Sequence, residues 1–435
     1  MNEVDVLLSV FGVSILLLSL SVGLLKGKSY LPTQPLVAVA LGVLIGPDVL
    51  GWIHLSSWGD PTSILEEVAR LTIAFSVMAA ALRIPRTYFG DQPEAMASLL
   101  SVGQVAMALV SGLLAYWLLG IPFWLGMLVG AIVTPTDPVI SSTIVHGETA
   151  TNNIPARLRH LLSGESGAND GGAYPFVFLS ILMIEHPVGE ALSRWGSHTL
   201  LWDVGFAVLA GLAIGATAGW LQRWALENDV LNETPLTTVT VSLALLALGV
   251  VHLLGSDGIL AVFVAGLAFN RVAPGDPETE QEAATDTVER LFTIPVFVLF
   301  GSVLPWGEWV SLGWMGVALV VGVLLFRRLP MVFAIRKLVP PIERSADAAL
   351  AGWFGPIGVA AIFYAILAYH ELGTQEPWVV GSLIVAGSVL AYGVTTTVGT
   401  HHYGERTGYF QRETGRPSSQ QGRRRARGQG AGDSD

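Results

Sequence analysis

Gly130-Ala-Ile-Val-Thr134-Pro135-Thr136-Asp137-Pro138-Val-Ile140 sets an aspartate between two prolines, inside an apolar run long enough to cross a bilayer. Proline removes a backbone donor and breaks a helix. At membrane depth a broken helix is tolerated only where protein encloses it or it lines a wet cavity. The next apolar run carries Leu161-Leu-Ser-Gly-Glu165-Ser166-Gly-Ala-Asn169-Asp170-Gly-Gly-Ala-Tyr-Pro-Phe176, with a second aspartate at its centre. A carboxylate in the middle of a membrane helix costs ~2.5–3.5 kcal/mol on insertion scales, so its presence asks for a function. Together the two stretches predict an ion-binding site within the membrane.

The rest of the chain agrees. Of 435 residues 52% are hydrophobic and 13% charged, with a mean hydropathy of +0.58, which excludes an ordinary soluble domain. The first apolar run, Val4–Leu25, follows the acidic start Asn2-Glu3-Val4-Asp5 and has no small-residue cleavage site, so it reads as a first span and not as a removable signal peptide. Cysteine is absent, which excludes disulfides, zinc clusters and thiol chemistry. The net charge of −11 lies mainly in loops such as Asp276–Glu289, and the only lysines are Lys26, Lys28 and Lys337. An acidic, lysine-poor surface suits a high-salt environment and is equally compatible with drift in a GC-rich genome.

At ~20 apolar residues per helical span the chain predicts about thirteen spans. They fall near 4–25, 33–53, 63–82, 95–119, 121–146, 158–184, 199–222, 236–254, 257–271, 290–304, 310–338, 347–370 and 376–400. Basic residues cluster after odd-numbered spans: Lys26 and Lys28, Arg83 and Arg86, Arg157 and Arg159, Arg223, Arg271, then Arg336, Lys337 and Arg344. By the positive-inside rule the N-terminus is outside and the C-terminus cytoplasmic. The expected layout is a transmembrane domain over 1–400 and a disordered cytoplasmic tail over 401–435, whose Gly422-Arg-Arg-Arg-Ala-Arg-Gly428 run helps to fix topology and has the charge to lie on anionic headgroups.

Span twelve also loads helix breakers into a membrane segment, Gly352-Trp-Phe-Gly355-Pro356-Ile357-Gly358. Interrupted spans at corresponding places in two halves are the best sequence pointer to a midplane transport site. Repeats over about 1–184 and 236–400 put spans five and twelve in register, although no residue-level repeat is visible. Unwinding at Pro135 and Pro138 frees carbonyls, and with Thr136 and Asp137 these are hard oxygen ligands for an alkali cation. The competing reading is that Asp137 N-caps the helix Pro138 begins, which does not exclude ligation. Ser166 and Asp170 share one helical stripe, Glu165 and Asn169 the neighbouring one. One stripe suits the ion and the other a contact between helices. Depths counted at ~1.5 Å per residue group Glu165 with Arg327, the expected ion-pair partner, with Arg328 the competing choice. Asp257 reads as a cap at an outer turn, and His146 and His160 as solvated residues near the inner interface.

Thr136-Asp137-Pro138, Glu165-Ser166-x-x-Asn169-Asp170 and Gly255-Ser-x-Gly-Ile-Leu-Ala-Val-Phe-Val-Ala-Gly266 resemble the cation:proton antiporter-1 family of NhaP-type sodium/proton exchangers. The likeness implies an all-α polytopic membrane protein and a homodimer, with a dimerisation domain and a mobile six-helix core. It implies exchange of Na+, with Li+ or K+ in some members, for H+. It makes Asp170 the main ion- and proton-binding carboxylate, Asp137, Thr136 and Ser166 its partners, and Asp137 with Asp170 the ligands of transported Na+. Asn169 then supports the unwound crossing, and Glu165 with Arg327 a structural pair. Neither a cofactor nor a nucleic-acid partner is expected, and the chain is not expected to be an enzyme. Two departures keep K+/H+ exchange open as the alternative: Phe75-Ser-Val-Met-Ala-Ala-Ala81 lacks the glutamate many members carry, and Ile357 stands where many have arginine. An intramembrane aspartyl protease built on Asp137 and Asp170 lacks a Gly-x-Gly-Asp setting, and a channel lacks a repeated filter.

Overall fold

The computed structural model describes residues 3–24, 33–137, 140, 142–145, 147–228, 230, 236–274 and 291–409. Among these the chain is helical with no strand. The helices are α1 (Glu3–Leu24), α2 (Gln34–Ile45), α3 (Pro61–Arg83) and α4 (Pro93–Leu119). Then come α5 (Phe123–Ile132), α6 (Ser142–Val145), α7 (Gly147–Asn153), α8 (Ala156–Gly172) and α9 (Tyr174–Glu185). A long α10 (Val188–Glu227) leads to α11 (Leu236–Leu253), α12 (Gly258–Val272) and α13 (Leu291–Ser302). The last are α14 (Trp306–Phe326), α15 (Leu329–Ile335), α16 (Ser345–Trp353), α17 (Val359–Leu372) and α18 (Glu376–Thr407). By length and composition α4, α10, α18 and the run Trp306–Leu338 that joins α14 to α15 could each cross a membrane, and shorter apolar helices surround them. Leu201, Leu253, Val310 and Trp314 stay largely exposed on these helices, a surface suited to lipid.

Close helix packing rests on small residues, as it does where lipid supplies no hydrophobic drive between helices. Gly211, Gly215 and Gly219 of α10 repeat every fourth residue and lie on the Ala261 and Ala265 carbonyls and the Val272–Ala273 end of α12, where a Cβ would collide. α3 runs through the middle of the bundle, against α8, α11, α12 and α17. That places a continuous helix beside both interrupted ones.

Several boundaries differ from the sequence expectation: α10 starts at Val188, well before 199, and α2 ends at Ile45, before 53. Span six divides into α8 and α9 at Ala173, with Pro175 in the first turn of α9. Span eleven divides at Arg327–Arg328, because Pro330 opens α15 and leaves the preceding turn without a continuous ladder. The last helix continues past His401 to Thr407 and stops at Gly408 (φ +67°). Burial holds that extension: the Tyr403 hydroxyl donates to Asp347 at 2.7 Å, and Gly404 packs on Asn153. The expected arginine-rich tail beyond Tyr409, the acidic loop 276–289, Pro138 and His146 lie outside the described residues.

Candidate functional site

The two interrupted segments cross and are bonded to each other. After α5 ends at Ile132 the chain unwinds through Thr134 to Asp137; after α16 ends at Trp353 it unwinds through Phe354 to Gly358. The Asp137 N–H donates to the Pro356 carbonyl at 2.8 Å. The Asp137 carboxylate accepts the Val359 N–H on Oδ2 at 2.7 Å and the Ile140 N–H on Oδ1 at 3.3 Å. Asp137 therefore caps the first turn of α17 as well as its own following segment, where a negative group is favoured. Only glycine fits at 358, since a Cβ there would overlap the Asp137 carboxylate.

α8 supplies the facing stripe. Asn169 holds Thr136 twice: its Nδ2 donates to Thr136 Oγ1 at 2.8 Å, and its Oδ1 accepts the Thr136 N–H at 3.1 Å. The Ser166 hydroxyl donates to the Thr136 carbonyl. These contacts satisfy backbone groups that unwinding leaves without helical partners. Asp170 is different. It is 3% exposed, and its Oδ1 has no hydrogen-bond partner, while its main-chain carbonyl accepts the Tyr364 hydroxyl at 2.6 Å. Asp170 and Asp137 line one small cavity with Thr72, Ile73, Ser76, Val359 and Ala360.

Thr72 and Ser76 were not among the residues singled out from the sequence. They stand one turn apart on α3, and the Ser76 hydroxyl also has no partner. The signal was an i, i+4 pair of hydroxyls in the apolar half of a span whose first turns carry Glu66, Glu67 and Arg70. Thr136 and Ser166, by contrast, do not line the cavity, and the contacts described above hold the crossing.

The ion-pair expectation needs correction. Glu165 pairs with Arg328 and not with Arg327: Nη1 and Nη2 donate to the two carboxylate oxygens at 2.5 and 2.6 Å, with all three side chains at most 3% exposed. Arg328 Nε also donates to the Ala351 carbonyl at 2.8 Å. Arg327 points to the crossing, where Nη1 donates to the carbonyls of Val133, Thr134 and Pro135 and Nη2 to that of Gly355. Depth alone could not separate two successive residues, which leave a helix in different directions. Asp257 caps α12 as expected, accepting the Ile259 and Leu260 N–H groups at 3.0 and 3.1 Å.

The chain is 33% identical over 355 residues to a Na(+)/H(+) antiporter of Saccharomyces cerevisiae, covering 80% of this chain and 36% of that protein. It is 26% identical over 403 residues to the K(+)/H(+) antiporter NhaP2 of Shewanella oneidensis, covering 91% of this chain and 67% of that protein. The chain thus spans less than half the length of the yeast relative. Among solved structures, the sodium proton antiporter MjNhaP1 from Methanocaldococcus jannaschii at pH 8 has the same fold, with a TM-score of 0.67 at 17% identity over 92% of this chain and all of that one. Residues 13–399 match the transmembrane sodium/hydrogen exchanger family, and the chain belongs to that family of multi-pass membrane transporters.

Proposed function

We propose that the protein exchanges Na+, with Li+ also accepted, for H+ by alternating access, one cation for one proton. The observation that carries this is the buried Asp170 carboxylate, which leaves Oδ1 unpartnered against a cavity shared with Asp137. Neutralising a buried carboxylate takes a counter-cation, and a dehydrated alkali ion or a proton can each serve, one at a time. Asp170 is the exchanging group in this reading. Asp137, anchored by two N–H donors, is the fixed anionic partner that completes an oxygen shell with the Thr72 and Ser76 hydroxyls. Thr136, Ser166 and Asn169 hold the crossing in shape, and Glu165 with Arg328 locks α8 to α15. The reading keeps the N-terminus outside, the C-terminus cytoplasmic, two structural repeats and a homodimer. The arginine distribution, the paired interrupted helices and the names of the relatives support it.

K+/H+ exchange is the second reading, favoured by the bacterial K(+)/H(+) relatives that align over 91% of this chain. Purified protein in liposomes carrying a pH-sensitive dye, challenged with Na+, Li+ and K+ in turn, tests both. Proton movement driven by Na+ and Li+ supports the first reading, and movement driven by K+ alone replaces it with the second. No cation-coupled proton movement at all removes both.

A further inference from the structure

We propose that Arg327 is a positioning residue of the cation site: held between the carbonyls of both broken helices, it fixes where Asp137 stands and keeps those carbonyls from the transported ion. This inference rests on the exchange reading above. The carbonyl end of a helix carries roughly half a negative charge. Two such ends meet at the crossing: Val133, Thr134 and Pro135 follow α5, and Gly355 follows α16. Arg327 is 2% exposed and donates to all four carbonyls. Among the described residues no carboxylate lies within ion-pair distance of it, since both oxygens of Glu165 are taken by Arg328. The hydrogen bonds of this fully buried cation thus all go to backbone carbonyls.

Two consequences follow from that placement. The first is geometric. Two residues beyond Pro135, Asp137 donates its N–H to Pro356, the neighbour of Gly355, and its carboxylate takes the Val359 N–H. Arg327 anchors both strands of this short ladder just before they reach the cavity. The second is electrostatic. Carbonyls freed by unwinding are good ligands for an alkali cation, and none of these four residues lines the Asp170 cavity. An empty position for Arg327 would leave a rival cation locus away from the exchanging carboxylate. The planar guanidinium can bond both segments at once, whereas a lysine ammonium is a single point of charge on a flexible stem.

Wild type, Arg327→Lys and Arg327→Gln in proteoliposomes test this, with the cation concentration at half-maximal rate and the maximal rate measured separately for Na+, Li+ and K+. A misplacement of about 1 Å in a positioned ligand costs up to ~100-fold, so Arg327→Gln should raise the half-maximal concentration for Na+ by about 10–100-fold. Arg327→Lys, which restores charge without the fork, should recover part of that shift and alter the order among the three cations. A folded Gln variant with wild-type half-maximal concentration and cation order, whatever its melting midpoint, overturns the proposal. If the Gln variant does not fold, the Lys variant decides: an unchanged concentration and order overturns the proposal there too. A wild-type protein that moves no protons overturns the exchange reading and this inference with it. An active wild type with unmoved Arg327 variants overturns this inference alone.

Discussion

Replacing Glu165 by Gln should damage the fold more than the replacement's size suggests, and removing Arg328 as well should repair most of the damage. The pair is bidentate at 2.5 and 2.6 Å, with Glu165 1% and Arg328 3% exposed. Glu165→Gln leaves the Arg328 guanidinium buried with no anion beside it, only the Ala351 carbonyl and the Met107 sulfur. Breaking a buried pair on one side typically costs ~3–5 kcal/mol, whereas exchanging both partners for neutral groups is often close to neutral. On globular-protein unfolding entropies for a chain of this length, that single loss lowers the melting midpoint by roughly 3–5 °C. The assay is thermal unfolding in detergent of Glu165→Gln, Arg328→Gln and the double variant, as a double-mutant cycle. The two glutamines can bond each other, so the double variant should melt above either single one. The parallel cycle with Arg327→Gln should show no such recovery, because Arg327 bonds carbonyls and not Glu165. Additive losses in the Arg328 cycle, or recovery in the Arg327 cycle, would falsify the assignment of the partner.

Asp170→Asn should abolish cation-coupled proton movement while leaving the melting midpoint near wild type; retained exchange in that variant refutes the central role given to Asp170. Asp137→Asn should raise the half-maximal cation concentration by about tenfold or more, equivalent to ~1.4 kcal/mol of binding; an unchanged value would reduce Asp137 to a helix cap. Thr72→Val and Ser76→Ala, each removing a cavity hydroxyl, should change the Na+ to K+ preference by about three- to tenfold, ~0.7–1.4 kcal/mol, in cation-series measurements on liposomes. Initial exchange rates should not respond to a valinomycin-clamped potential, although 100 mV offers ~2.3 kcal/mol per moved charge. A clear response would direct attention to Asp257, among the described residues the other fully buried span carboxylate with an oxygen, Oδ2, that has no partner.

Much of the site could be read along the chain because its signals are local. Proline on either side of Asp137 announced an unwound segment, and the spacing of Ser166, Asn169 and Asp170 announced a helix that answers it. The structure joins these stretches through Thr136, which bonds both Ser166 and Asn169. What escaped was directional or long-range. Arg327 and Arg328 have nearly the same depth, and only the break before α15 decides that one turns to Glu165 and the other to the crossing. The capping reading of Asp137 was framed within its own segment, yet its shorter bond reaches Val359, more than two hundred residues away. Thr72 and Ser76 looked like ordinary small polar residues in a membrane helix, and their importance comes from α3 lying beside both aspartates. Apolar residues thin out at His401, but Tyr403 and Gly404 find buried partners on α16 and α7.

The division of charge at the crossing explains why one aspartate, and not both, suits exchange. Each broken helix contributes an end with excess N–H groups and an end with excess carbonyls, and these partial charges are buried away from water. Asp137 answers the N–H side by accepting from Val359 and Ile140, and Arg327 answers the carbonyl side by donating to Val133, Thr134, Pro135 and Gly355. Glu165 and Arg328 answer each other. Asp170 keeps an oxygen with no hydrogen-bond partner, in a cavity enclosed by α3 and α17. Moving that carboxylate across the membrane without a counter-cation would carry a bare charge through low dielectric, which is far costlier than moving it neutralised. A proton meets that need, and so does a dehydrated alkali ion with Asp137 and the α3 hydroxyls around it. In the exchange proposed above, the one unsatisfied oxygen is a sufficient basis for coupling: the loaded site would cross with either partner, and the empty site would stay where it is.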